Sequence, residues 1–100
     1  MSAAMVRYRI KPDQAARNEE LVRAVFAELA RDSPAGLRYT SFALEDGVTF
    51  VHVAVEPDDG RSPLQETAAF KAFRKQLRDR CDEPPQVTRL RELGSYAGGA

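Results

Sequence analysis

Ser41 and His52, the only histidine in the chain, are spaced to meet across a hairpin, because Asp46-Gly47 is a dipeptide suited to a two-residue type I′ turn. Pairing outward from that turn sets Glu45 opposite Val48, Ala43 opposite Phe50, Ser41 opposite His52 and Tyr39 opposite Ala54, all on one face. Cross-strand partners bring their Cβ atoms within about 5 Å, so the Ser41 hydroxyl can bond the imidazole. Nucleophilic catalysis by that pair also needs an orienting carboxylate and an oxyanion hole, and the sequence has no G-x-S-x-G elbow. His52 alone is a candidate general base toward a bound phenol or enol, with an ordinary pKa near about 6.5. The plainer alternative is a hydrogen-bonded polar pair in a dimer interface.

Further polar and aromatic groups belong to the same set. Arg7 and Arg9 alternate with Val6, Tyr8 and Ile10, are expected on the His52 side of the sheet, and suit bidentate capture of a carboxylate, with ion pairs or solvent as the alternative. Tyr8 reads as a core residue or a pocket phenol. Tyr39, Ser41 and Phe50 complete a candidate substrate-binding set with Tyr8 and Arg9 around a catalytic His52. Lys71, Arg74, Lys75 and Arg78 form a basic helical stripe. It lies away from any sheet surface on which bases could stack, so a solvated face is expected rather than a nucleic-acid site. Cys81 is set among Asp79, Asp82 and Glu83, whose charges disfavour a thiolate.

The elements that must position these residues follow from periodicity. Met5 to Lys11 alternates as a half-buried strand and stops at Pro12. Asp13 is the expected N-cap of a long helix with Ala15, Leu21, Val22, Val25, Phe26 and Leu29 on its apolar side. Ser33, Pro34 and Gly36 mark its end, and the hairpin from Tyr39 to Val55 follows. Ser62 as cap, Pro63 in the first turn and Gln65 as capping-box partner start a second helix expected to reach Cys81, where the tandem Pro84-Pro85 forbids continuation. Phe26, Phe70 and Phe73 should face the sheet. Gln86 to Leu93 favours a strand, with Val87, Leu90 and Leu93 spaced by three, which a bulge would explain. The more continuously aliphatic face of the hairpin, with Phe42, Leu44, Val51, Val53 and Val55, is expected under the helices, which leaves the His52 face open.

One hundred residues make a single domain spanning 1–100, with an ordered core expected over about 5–96. Fifteen basic residues balance fifteen acidic ones, so no overall field attracts nucleic acid or an anionic membrane. No apolar run approaches the roughly 20 residues of a membrane helix. The start of the chain lacks the length and apolarity of a signal peptide, and one cysteine builds no internal disulfide, so a cytoplasmic location is expected. With one histidine and one cysteine, no metal is expected.

The order β-α-β-β-α-β is the ferredoxin-like, split βαβ arrangement of the α+β class: a four-stranded antiparallel sheet with two helices on one face. A helix-free face exposes an apolar patch, which a second copy of the chain covers most simply. On Val6-Arg7-Tyr8-Arg9-Ile10-Lys11-Pro12, the long first helix, Pro34-Ala35-Gly36-Leu37-Arg38-Tyr39 and Phe50-Val51-His52-Val53-Ala54-Val55-Glu56, the chain resembles the dimeric α+β barrel superfamily, and within it the antibiotic-biosynthesis-monooxygenase-like domains. That resemblance implies a homodimer with a pocket between each sheet and its helices. It implies a small aromatic or polyketide-like ligand and, in active members, oxygenation without metal or flavin. Two residues of active relatives have no counterpart: Val55-Glu56-Pro57 stands where a tryptophan is common, and no haem-ligating histidine lies between Leu64 and Cys81. No cofactor is therefore expected. A non-catalytic dimeric ligand-binding or interaction module is the competing class.

Overall fold

The computed structural model describes residues 1–99. Four strands, β1 (Ser2–Ile10), β2 (Arg38–Ala43), β3 (Thr49–Glu56) and β4 (Cys81–Leu90), form one antiparallel sheet in the order β2-β3-β1-β4. Between β1 and β2 runs α1 (Ala15–Asp32), and between β3 and β4 run three short helices, α2 (Pro63–Glu66), α3 (Ala68–Arg74) and α4 (Leu77–Arg80). This is the expected ferredoxin-like order, with the second helix broken in three. Among the described residues no helix is long and apolar enough to cross a membrane.

The hairpin register is the one read from the sequence: Tyr39 pairs with Ala54, Ser41 with His52 and Ala43 with Phe50. The turn that sets it is different. Leu44 N–H bonds the Thr49 carbonyl at 2.9 Å and Gly47 N–H bonds the Leu44 carbonyl at 3.0 Å, so the connection is four residues long. Within this loop only Gly47, at φ +75°, is left-handed. The Asp46 carboxylate holds the loop by accepting from Val48 N, Thr49 N and Thr49 Oγ1 at 2.6–2.9 Å. A four-residue loop closed by Leu44 and Thr49 and a two-residue loop closed by Glu45 and Val48 impose the same pairing, so the register is the same.

Which face the helices cover is reversed from expectation. The core holds Tyr8, Ile10 and Phe50 from the sheet with Val25, Leu64, Phe73 and Leu77 from the helices, and His52 is only 5% exposed beside them. Phe42, on the aliphatic face, is 55% exposed. The reason is the pairing of β1 with β3, which sets Val6 opposite His52 and Tyr8 opposite Phe50. Once Val6, Tyr8 and Ile10 turn toward the helices, His52 must turn with them. Arg7 and Arg9, opposite Val51 and Thr49, therefore lie on the helix-free face. There Arg9 makes an exposed ion pair with Glu83 at 3.2 Å.

Local chemistry explains the helix boundaries. Pro12–Gln14 is a 3-10 turn, and α1 starts after Gln14 with no side-chain cap, so Asp13 does not cap it. Ser62 does cap α2, accepting from Gln65 N, with Pro63 in the first turn. Thr67 is extended and its hydroxyl oxygen accepts from Phe70 N, which ends α2 and starts α3. Glu28 of α1 reinforces that start by accepting from Ala68 N at 3.0 Å and Ala69 N at 2.8 Å, tying the two helices together. Gln76, left-handed at φ +61°, separates α3 from α4. Cys81 opens β4 rather than closing a helix, and the strand's irregularity falls between the partners of Arg7 and Ile10, around Pro84-Pro85, instead of among Val87, Leu90 and Leu93.

Candidate ligand-binding site

Four elements converge on His52. From β1, Tyr8 places its hydroxyl 2.7 Å from His52 Nε2, and from β2 the Tyr39 and Ser41 hydroxyls lie 2.5 and 2.7 Å from Nδ1. From α1, Asn18 Nδ2 donates to the Tyr8 hydroxyl at 3.0 Å. From α4, Arg80 Nη2 donates to Asn18 Oδ1 at 3.3 Å and to the Phe73 carbonyl at 2.8 Å, while Nη1 donates to the Lys75 carbonyl at 3.1 Å. Arg80 thereby satisfies carbonyls left open at the C-terminal end of α3, where a cation is favoured. Its guanidinium also lies 5.7 Å from the Phe73 ring centre.

Aromatic rings wrap this polar chain. Tyr8 stacks between Phe50 and His52 with centroid separations of 5.6 and 5.3 Å, and Phe26 stacks on Tyr39 at 5.1 Å. The burial has electrostatic consequences. Removing His52 from water disfavours the imidazolium and pushes its pKa down to about 4, so the ring is neutral at pH 7. Burial pushes Tyr39 up to about 12 and raises Tyr8 further, so both phenols keep their protons. Burial also raises the Cys81 thiol, in agreement with an unreactive cysteine.

The chain of bonds opens onto a cleft of about 660 Å³ between the sheet and the helices α2 to α4. Tyr8, Tyr39 and His52 form its polar floor, with Val6, Ala54, Leu64, Phe70, Phe73 and Leu77 among its apolar walls. That is the volume and lining of a site for a small, largely apolar molecule. Of the residues singled out in the sequence, Tyr8, Tyr39 and His52 line the cleft. Ser41 and Phe50 stand behind them, lining a separate hollow against Val22 and Phe26. Arg9 is on the opposite side of the sheet and reaches none of them. Lys71, Lys75 and Arg78 are exposed as expected, and Arg74 and Arg78 edge the mouth.

Two members of the constellation, Asn18 and Arg80, were not anticipated from sequence. Both sit at helical spacing on an apolar stripe: Asn18 between Ala15 and Val22, Arg80 after Phe73 and Leu77. A polar side chain at a core position of such a stripe is the signal that identifies them. Among the described residues no cluster of histidine, cysteine and carboxylate groups is arranged to hold a metal ion.

No family model matches the chain, and no curated protein resembles it in sequence. Solved structures do resemble it. A Nitrosomonas europaea protein assigned as an antibiotic biosynthesis monooxygenase superposes with a TM-score of 0.73 at 21% identity, over 92% of this chain and 89% of its own. A B. thetaiotaomicron protein assigned the same way gives 0.80 at 13% identity, over 99% and 95%. This chain has their fold. NE2512 from Nitrosomonas europaea, a protein described as of unknown function, matches as well, with a TM-score of 0.73 at 20% identity over 99% and 95%. The fold is thus shared by proteins with and without an assigned activity, and the activity must be argued from the cleft.

Proposed function

We propose that this chain binds a small aromatic or polyketide-like molecule in the cleft over Tyr8, Tyr39 and His52, and acts there as a monooxygenase that needs no metal or flavin. What supports the reading most is the cleft itself: about 660 Å³, walled by aromatic and aliphatic side chains, with three polar groups gathered at one end. The structural likeness to proteins assigned as antibiotic biosynthesis monooxygenases favours the same reaction class.

In the proposed reaction an electron-rich ring methylene becomes a carbonyl. Dioxygen supplies the carbonyl oxygen, and its other oxygen leaves with both methylene hydrogens as water. The protein's contribution is to exclude bulk water, hold the ring against Phe70 and Phe73, and fix a substrate oxygen at the Tyr39 end. Tyr8 and Ser41 hold the imidazole on either side, and Phe50 backs Tyr8. Arg9 has no part in this assignment. We further propose that the working form is a cytoplasmic homodimer joined through the helix-free face, with Phe42, Val51 and Val53 at the contact.

One observation favours the second reading, a dimeric module that binds without catalysis: His52 has both ring nitrogens engaged and a depressed pKa, which suits a fixed junction better than a base. Native mass spectrometry of the protein as purified from cells separates the readings. A dimer that carries a small-molecule mass and consumes oxygen with that molecule supports the oxygenase. A loaded dimer inert to oxygen supports the binding module, and a monomer without ligand refutes both.

A further inference from the structure

We propose that Asn18 and Arg80 are positioning residues that lock His52 in its Nδ1-protonated tautomer, and that the Tyr39 hydroxyl is in consequence a hydrogen-bond donor aimed at an acceptor oxygen of the ligand. The second half of this proposal rests on the cleft being the ligand site; the first half stands on geometry alone.

The assignment of protons starts at Arg80, because a guanidinium has donors only and no acceptor. The Asn18 group that receives its Nη2 proton at 3.3 Å must be Oδ1, which turns Nδ2 toward Tyr8. The Tyr8 oxygen therefore accepts from Asn18. Tyr8 is 1% exposed, and among the described residues its hydroxyl has one remaining hydrogen-bond partner, His52 Nε2 at 2.7 Å. A buried hydroxyl proton left without an acceptor costs about 1–3 kcal/mol, so it goes to Nε2. Nε2 is then an acceptor, and a neutral imidazole must carry its proton on Nδ1.

From Nδ1 the polarity continues outward to Tyr39 and Ser41, at 2.5 and 2.7 Å. With its oxygen already accepting, Tyr39 has its own proton left to give, and of these two hydroxyls it is the one on the cleft floor. Each link donates toward the cavity: Arg80 to Asn18, Asn18 to Tyr8, Tyr8 to His52, His52 to the hydroxyls. A buried cation at the far end reinforces that direction. The ligand chemistry such a floor selects is a carbonyl or a phenolate or enolate oxygen, and it discriminates against a ring that offers only an N–H donor.

The test is nitrogen-15 NMR of the His52 imidazole, followed by binding of two flat tricyclic probes. Wild-type protein is expected to show a protonated Nδ1 and a bare Nε2; the reverse pattern overturns the proposal without any variant. In Asn18→Asp the carboxylate accepts the Tyr8 proton, the Tyr8 oxygen accepts from His52, and the proton moves to Nε2. A folded Asn18→Asp protein that keeps the Nδ1 proton contradicts the role of Asn18. Arg80→Met, in which nothing fixes the amide, should give both forms; a single unchanged tautomer there contradicts the role of Arg80.

For the ligand, 9-fluorenone, an acceptor, should bind about tenfold more tightly than carbazole, a donor of the same shape, as one hydrogen bond implies. Tyr39→Phe should erase the difference. Equal affinity or a preference for carbazole refutes the donor floor. Binding of neither probe refutes the cleft reading instead, while the tautomer stands or falls on the NMR result.

Discussion

Tyr8 lies flat against His52, with ring centres 5.3 Å apart and its hydroxyl 2.7 Å from Nε2, so a single residue supplies both the stacking and the hydrogen bond that fix the imidazole. Neither residue is solvated, and each is the other's main polar partner on that side. The pair joins the centre of the core to the floor of the cleft, so under the proposed function stability and ligand recognition depend on the same groups.

The first expected outcome concerns that pair. Tyr8→Phe keeps the ring and its stacking but leaves Asn18 Nδ2 and His52 Nε2 without their partner. Unfolding by denaturant should show a loss of roughly 1–3 kcal/mol. A loss near zero would mean that neither group depends on the hydroxyl.

The second concerns pH. His52 has a folded pKa of about 4 against an ordinary value of 6.5, so the unfolded chain takes up its proton first as pH falls. The contribution of neutral His52 is complete above pH 6.5 and is lost as pH drops through 6.5 to 4. The full difference is about 3 kcal/mol at 1.36 kcal/mol per pKa unit. Stability measured from pH 7 to pH 4 should fall along that limb in wild type and fall much less in His52→Phe. Equal slopes in both proteins would contradict the buried neutral imidazole.

The third concerns the helix-free face. Phe42→Glu places a charge where the wild-type ring is 55% exposed, so the fold should lose less than about 0.5 kcal/mol. Light scattering should report a dimer for wild type and a monomer for the variant. An unchanged dimer would place the interface elsewhere.

The fourth concerns Arg80. Arg80→Met strips the hydrogen bonds from the Phe73 and Lys75 carbonyls and from Asn18 Oδ1, and destabilisation of roughly 2–4 kcal/mol is expected from groups left buried and unpaired. Hydrogen exchange should quicken first at the end of α3, where the guanidinium caps the helix. Faster exchange spread evenly over the sheet would argue against that local role.

Strand order and hairpin register were legible because alternation and Asp46-Gly47 carry them locally, and even a different turn preserved the pairing. The covered face was not legible from the hairpin alone. Phe42, Val51 and Val53 are more aliphatic than Tyr39, Phe50 and His52, and hydrophobicity by itself points to the wrong side. The correct side follows only when β1 is paired with β3, since Tyr8 and Phe50 must then share a face. That same pairing moves Arg9 away from the cleft. Asn18 and Arg80 were hidden by residue type: a polar side chain on an apolar stripe reads as an interruption until its buried partner is known, and those partners lie 10 and 62 positions away. The breaks at Thr67 and Gln76 depend on backbone angles that no periodicity reports.

The most direct test of the central claim is a titration of isotopically labelled protein with 9-fluorenone, followed by NMR. Saturable shifts centred on Tyr8, Tyr39, His52, Phe70 and Phe73 are predicted, with Phe42 and Val51 unmoved. Shifts confined to the helix-free face, or none at any concentration, would contradict a ligand site between the sheet and its helices.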